Sequence, residues 1–419
     1  MAATPTAIAA ERVRVRTRPI PAEGGDLISW LPSRDGVLCW LRDGEGLVAW
    51  GELARFEASG PRRFNQLDAC WRSFVSRTDI HDEVGLYGSG PVAFTSVAFA
   101  DRPGHSVLVV PRVVIGRRDG VTWVTELVTS DVPAEPAVIQ PIQPVQNPGQ
   151  PCYVNGQLPV TSWRDSVASA VDLLRTGLLA KVVLAHDLIA ETQRPVDPRF
   201  LLRGLADRYP SCWTFAVDEL VGATPELLVR RHGDRVSARV LAGTTWPRTG
   251  TDRATLAAEL LASGKNRAEH AYAVQSMIEA LRPFCHELDA PDSPDVLNLH
   301  NVAHLATDVH GSLTGSHSVL RLAWLAHPTA AVGGTPAPDA RRLINELEGM
   351  DRGRYAGPVG WIDATGDGEL GIALRCAQLD GNTVRMFAGC GIMADSDPDT
   401  EVCEAAAKLV PIRDALERT

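Results

Sequence analysis

Two stretches of this 419-residue chain are written for antiparallel sheet. Residues 36–58 and 84–128 contain GVLCWLRDG, GLVAWGELARF, PVAFTSVAFA, HSVLVVPRVVIG and GVTWVTELV. Val and aromatic residues suit a pleated, half-buried surface, and turn residues separate the runs, so the spacing predicts a meander. Near the other end, VGWIDATGDGELGIALRCAQLDGNTVRMFAGCGIMA reads as three strands joined by two tight turns. Helices and strands mix in between. TSWRDSVASAVDLLRTG is a helix capped by Thr161 or Ser162 and stopped by Gly177. A helix over 197–208 follows, then strands over 211–217, 226–231 and 235–241 with a turn at GATPE, and a long helix near 264–284. A last helix starts at DPDTE, with Asp397 as cap and Pro398 in its first position.

Residues 131–151, DVPAEPAVIQPIQPVQNPGQP, hold six prolines and suit neither a helix nor a central strand. They are a linker between domains or a surface excursion within one fold. The second is favoured, because residues 28–130 show too few helices to cover a sheet alone.

Charges within apolar strands raise a question of cost. In LLAKVVLAHD, Lys181 shares one strand face with Leu179, Val183 and Ala185, while Ala180, Val182 and Leu184 form the other. An ammonium buried there without a partner is expensive. Arg375 in IALRCA poses the same problem, and a buried guanidinium usually has an anion to grip. Glu226 follows Gly222-Ala223-Thr224-Pro225 at a strand start, where a turn carboxylate is the plain reading. Glu401, Glu404 and Lys408 lie at i, i+3 and i+7 on the last helix and share a face. Glu269 lies off the apolar stripe Ala271, Val274, Ile278 and Leu281 of the long helix. Such glutamates form solvated faces, or from two helices hold Mg²⁺, which takes one or two carboxylates plus waters and substrate oxygens.

A formal charge of −10 argues against nucleic-acid or anionic-membrane partners, but a locally basic site for a small anion stays open. The eight cysteines form no C-x-x-C and no zinc spacing, so reduced thiols in a cytoplasmic protein are expected. The first residues have no basic start or long apolar core, unlike a secretory signal, and no run has the length of a membrane span. DATGDGE opens like a calcium loop, but Leu374 stands where the closing glutamate belongs, so a hairpin turn is expected. FAGCGI has too little chain after it for a dinucleotide fingerprint, and SGKN is no P-loop.

Nine blocks, in order, resemble the chorismate-utilising enzymes, the family of anthranilate synthase component I. They are AKVVLAH, GATPELLVR, LAGT, KNRAEH, NVAHLATDVHG, HPTAAVGGTP, DRGRYAGPVGW, ELGIALRCA and AGCGIMADSDPDTEVCEAAAKL, spread over the strongly matching half at residues 160–416. AWGELARF, PVAFTSVAFA and VVPRVVIG match a weaker N-terminal pattern within residues 1–130. In that family, the ammonia-using anthranilate and aminodeoxychorismate synthases usually carry Gln where this chain has Lys181. The aminodeoxychorismate enzymes often have Lys in place of Ala242. Lys181 with Ala242 therefore implies water as nucleophile, and HPTAAVGGTP with YAGPVGW resembles the isochorismate synthases.

The resemblance implies one unit over residues 1–419 with an α+β fold, large antiparallel sheets inside and helices outside, and a site in a cleft. It implies conversion of chorismate to isochorismate, with water added at C2 and hydroxyl lost at C4. Lys181 would be the general base on water and Glu226 the general acid for the departing hydroxyl. Glu269 and Glu404 would hold Mg²⁺, with Glu401 nearby. Tyr355, Arg375, the Gly389 backbone and Lys408 would grip the substrate carboxylates, and Gly243, Thr244 and His304 would line the pocket. Small residues at Ala331, Gly333 and Gly334 should make that pocket roomy. A monomer or weak homo-oligomer feeding menaquinone or siderophore synthesis would fit. The alternatives are a salicylate synthase, which adds pyruvate elimination, and a non-catalytic chorismate-binding relative. The chain departs from the family pattern at His186, Asn266, Val402 and Ala405.

Overall fold

Strand Ser106–Arg118 is where the sheet divides. One pairing route runs from it through Glu45–Ala58, Leu38–Arg42, Trp213–Val217, Leu220–Thr224, Cys376–Asp380 and Thr383–Ile392 to Lys181–Glu191. The other runs through Val92–Ser96, Pro358–Asp363, Gly368–Ile372, Leu227–His232 and Arg235–Thr245 to Ala303–Leu313. These coordinates, a computed structural model, describe residues 12–21, 25–129, 142–246, 250–300 and 302–418. Residues 131–141 of the proline-rich stretch lie outside them. Both routes are antiparallel throughout; strand Val13–Ile20 adds one parallel pairing, with Thr78–Asp82. This is the α+β arrangement the resemblance implies.

The two routes pack face to face. Trp40 and Trp213, on the first, both donate their indole N–H to Glu369 on the second, at 2.9 and 3.1 Å. Arg230 and Arg118 add ion pairs to the buried carboxylate at 3.1 and 3.8 Å. A buried charge so supplied with donors is tolerated between apolar faces. The buried apolar residues form one large cluster drawing on both routes.

Helices lie outside. Val160–Arg175 buries Trp163, Val167, Ala170, Val171 and Leu174, one helical face. With Ala337–Glu348 and Pro398–Leu416 it covers the Lys181 strand and its neighbour Thr383–Ile392. Gly264–Leu281 lies against Arg235–Thr245 and Ala303–Leu313. Among the described residues no helix is long and apolar enough to cross a membrane.

Several expectations change in detail. The helix expected to be capped by Thr161 or Ser162 begins at Val160 behind Pro159, without a side-chain cap. Gly177 ends it as expected, at φ 81°. The long helix buries His270, Ala273, Met277 and Leu281, a stripe shifted from the one expected, with Ala271 exposed. Residues 358–392 form four strands, not three. GATPE is mostly strand, since Leu220–Thr224 pairs on both sides. Helix Arg63–Val75 was not anticipated, although Phe64, Leu67, Trp71 and Phe74 recur at helical spacing and are buried.

Candidate active site

The strand character of GATPE and the splitting of residues 358–392 into four strands share a cause. Leu220–Thr224 belongs to the first pairing route and Leu227–His232 to the second, so Pro225-Glu226 is where the chain crosses between them. Gly368–Ile372 and Cys376–Asp380 likewise lie on different routes, and Ala373–Arg375 is the return crossing. The crossings are neighbours: Ile372 N–H donates to the Glu226 carbonyl at 3.2 Å, and Ala223 N–H to that of Arg375 at 3.2 Å. Arg375 sits at φ 48°, a left-handed conformation costly for a residue with a Cβ and typical of functional sites. It is no strand residue, as its apolar context suggested; it stands at a kink. A cleft of about 640 Å³ opens beside the crossings.

Nine of the expected residues line that cleft: Glu226, Gly243, Thr244, Glu269, His304, Tyr355, Arg375, Gly389 and Lys408. Lys181 lies just behind the lining, fully buried, with its ammonium 3.1 Å from Glu269. Glu404 stands behind Lys408, and Glu401 lies deeper, 2% exposed. Gly333 and Gly334 are not in the lining. Gly334 pairs with Val182 in a short strand and the Gly333 carbonyl accepts from Val183 N–H at 2.8 Å, so of these small residues only Ala331 faces the cleft.

Each carboxylate expected to hold metal has its own lysine. Lys181 pairs with Glu269 at 3.1 Å, Lys408 with Glu404 at 2.5 Å, and Lys265 with Glu401 at 3.6 Å. Lys408 also donates to the Gly389 carbonyl at 2.9 Å. Burial pushes the Glu269 carboxyl up, but Lys181, Lys408 and Lys265 outweigh it and hold the group below the usual carboxylate range. Burial and then the Glu404 charge raise Glu401, whose Oε2 has no hydrogen-bond partner. Cys390 Sγ, Glu401 and Glu404 offer ligand atoms within 4.8 Å of one another, and Glu269 lies outside that group. Burial raises the Cys390 thiol well above its ordinary value, which disfavours it as a thiolate ligand.

Glu226 is 4% exposed, and burial pushes its carboxyl up to about 8 against the pull of Lys181 and the other nearby cations. A carboxyl in that state still carries its proton at neutral pH. Tyr355, pushed up to about 12 by burial and stacked on Phe387 at 5.0 Å, stays a donor. Gly391 completes this floor: a Cβ there would run into Glu269 Oε1 and come within 2.8 Å of Lys181 Cε.

The opposite wall depends on a bulge. The register of Arg235–Thr245 against Ala303–Leu313 slips between Ala242 and Thr244, with Gly243 at φ 76°. Bulges re-aim side chains beside sites. Here Thr244 is brought opposite His304, 3.1 Å from Nδ1, and Asn266 Oδ1 accepts from Thr244 N–H at 3.1 Å. Asn266, a departure from the family pattern, thus still supports the wall. His186 does not face the cleft; it packs on Trp163 at 5.0 Å with neither ring nitrogen hydrogen-bonded.

Arg352 was not singled out in the sequence, although DRGRYAG contains it. It is 3% exposed, ion-paired with Glu348, and donates to the carbonyls of Val183 at 2.8 Å and Val332 at 2.9 Å. Glu348 accepts from Ala185 N–H at 2.8 Å. This pair pins the Lys181 strand, and Arg352 itself belongs to the cleft lining. Lys265 was equally missed; its signal was its place four residues before Glu269 in KNRAEH.

Residues 39–417 match the family model described as chorismate binding enzyme. The isochorismate synthase EntC of Escherichia coli strain K12 is 40% identical over 256 residues, covering 59% of this chain and 65% of that protein. MenF, the menaquinone-specific isochorismate synthase of Escherichia coli, superposes with a TM-score of 0.81 at 26% identity, covering 97% of this chain and 95% of that one. Anthranilate synthase component I from Streptococcus pneumoniae shares the fold, with a TM-score of 0.71 at 20% identity, covering 94% and 95%.

Proposed function

The chain belongs to the chorismate-binding enzyme family, and we infer from its relatives and the cleft's chemistry that it is an isochorismate synthase. It interconverts chorismate and isochorismate by adding water at C2 and losing the C4 hydroxyl. The observation that carries this reading is the buried Glu226 carboxyl in the cleft lining, pushed up to about 8 by burial, with the buried amine of Lys181 just behind that lining. Hydroxyl departure needs a proton donor, which Glu226 supplies. Water attack needs a base, and the Lys181 amine lies at the back of the cleft beside Glu269. Lys181 fills that role in our proposal. By microscopic reversibility the two groups exchange tasks in the reverse direction. Arg375, Tyr355, Lys408 and the Gly389 backbone would hold the substrate carboxylates, which a locally cationic wall on an acidic protein permits.

Mg²⁺ fits the donor set. Glu401 and Glu404 crowd each other, and the buried Glu401 Oε2 lacks a partner, so a hard cation with oxygen preference would relieve both. We propose that Glu404 and Glu269 hold the ion, with Glu401 beside them. When bound, it would neutralise a substrate carboxylate and orient the dianion. The chain's own part is to keep three carboxylates aimed there, each with a lysine as countercharge. We further propose that the chain works as one unit, since both pairing routes line the cleft. Cys39, Cys212, Cys376 and Cys390 are free and buried, which supports a reducing, cytoplasmic setting.

The test is incubation with chorismate and Mg²⁺, resolving isochorismate, salicylate, anthranilate and pyruvate. Isochorismate should accumulate toward an equilibrium, and added isochorismate should run back to chorismate. Stoichiometric salicylate and pyruvate would reject this reading in favour of a salicylate synthase.

A further inference from the structure

His304 lies between two polar groups in the cleft wall. Its Nε2 is 3.2 Å from Arg375 Nη2, and its Nδ1 is 3.1 Å from Thr244 Oγ1. A guanidinium has only donors to offer, so the nitrogen facing it must present a lone pair. The ring proton therefore sits on Nδ1, on the Thr244 side. Nε2, the nitrogen turned toward the substrate-gripping arginine, has no proton to give. Burial and the nearby Arg375 and Lys408 charges hold the imidazole well below its usual range, in keeping with a neutral ring. Arg375 itself stands at a left-handed kink, φ 48°. Thr244 reaches Nδ1 only because the Gly243 bulge re-aims it.

We propose that His304 is a positioning residue: with its ring proton on Nδ1, on the Thr244 side, it accepts from Arg375 and aims that guanidinium at a carboxylate of the substrate, and it transfers no proton. This rests on the chorismate reading of the cleft but not on which product is made.

The test compares His304→Leu, which loses the acceptor, with His304→Gln, whose amide oxygen can stand near the Nε2 position. His304→Leu should raise KM for chorismate roughly 10- to 100-fold, the scale of one hydrogen bond to a charged group, with kcat changed far less. His304→Gln should recover most of that loss. Thr244→Val should shift KM in the same direction by less, and it decides the matter if the leucine variant fails to fold. Adding His304→Leu to Arg375→Met should cost less than about threefold more, because both act through one contact. A loss in kcat at unchanged KM, equal damage from Gln and Leu, or additive effects with Arg375→Met would each overturn the proposal. Chorismate binding measured at equilibrium in a Glu226→Gln background reads the grip whatever the product, whereas product analysis of the wild type tests the isochorismate reading separately.

Discussion

Glu226→Gln should make the protein less active and, above neutral pH, more stable. In the unfolded chain this carboxyl releases its proton near its ordinary value of 4.5; in the fold burial holds it to about 8. Between those limits the native state binds more protons than the unfolded state, so stability falls as pH rises through the window. The slope from this one residue is about 1.4 kcal/mol per pH unit, and across the window it reaches at most about 5 kcal/mol, less where water or a cation moves in to relieve the charge. Glutamine keeps the shape without the titration. Urea unfolding of both proteins without substrate, at pH 5, 7 and 8.5, reads the difference. Near pH 5 the two should lie close together, and at pH 8.5 the variant should be ahead by several kcal/mol. The same proton is the one the departing hydroxyl needs, so wild-type kcat should decline as pH rises through about 8, and the variant should lose roughly 10²–10⁴-fold. A stability difference that stays flat from pH 5 to 8.5 would refute the raised carboxyl, and with it the argument for Glu226 as acid.

Lys181→Ala should lose roughly 10²–10⁴-fold in kcat, the size of a general-base contribution, and turnover within a few-fold of wild type would move the base elsewhere. EDTA should abolish turnover and Mg²⁺ restore it, while Glu404→Gln should weaken metal affinity, read by calorimetry, with the circular dichroism unchanged; full activity in EDTA would remove the metal from the scheme. Gly391→Ala should displace both Glu269 and Lys181, because its Cβ would come within 2.8 Å of Lys181 Cε. It should cost activity out of proportion to the roughly 1–3 kcal/mol expected of an overpacked position, checked by unfolding and kinetics side by side.

Local periods and end signals were legible without coordinates. The apolar run from Lys181 onward does form a strand, Lys181–Glu191, although Lys181 heads it and Leu178–Ala180 lie outside it. Asp397 does cap the last helix, accepting from Thr400 N–H at 2.8 Å ahead of Pro398. Asp363 does close a hairpin turn, accepting from Thr365 N–H at 2.8 Å. These depend on neighbours within a few residues, whose chemistry is written consecutively in the chain. Even the missed helix Arg63–Val75 carried its stripe in plain view. The order of the charged blocks also pointed to the family, because residue types at a site persist in sequence even when their partners lie far away.

What the sequence could not state is where strands distant in the chain meet. That Gly222–Thr224 and Gly371–Ile372 lie on different pairing routes decides that Glu226 and Arg375 stand on crossings instead of in strands. That Gly243 makes a bulge against Ala303–Leu313 decides that Thr244 reaches His304. The matching of Lys181, Lys265 and Lys408 to Glu269, Glu401 and Glu404 joins a strand and two helices. A period of two or 3.6 residues says which face of an element is apolar, but not what that face will meet. Partners are chosen by packing and register across the whole sheet, and a carboxyl held up to about 8 is a property of that assembled surrounding, not of a glutamate after a proline.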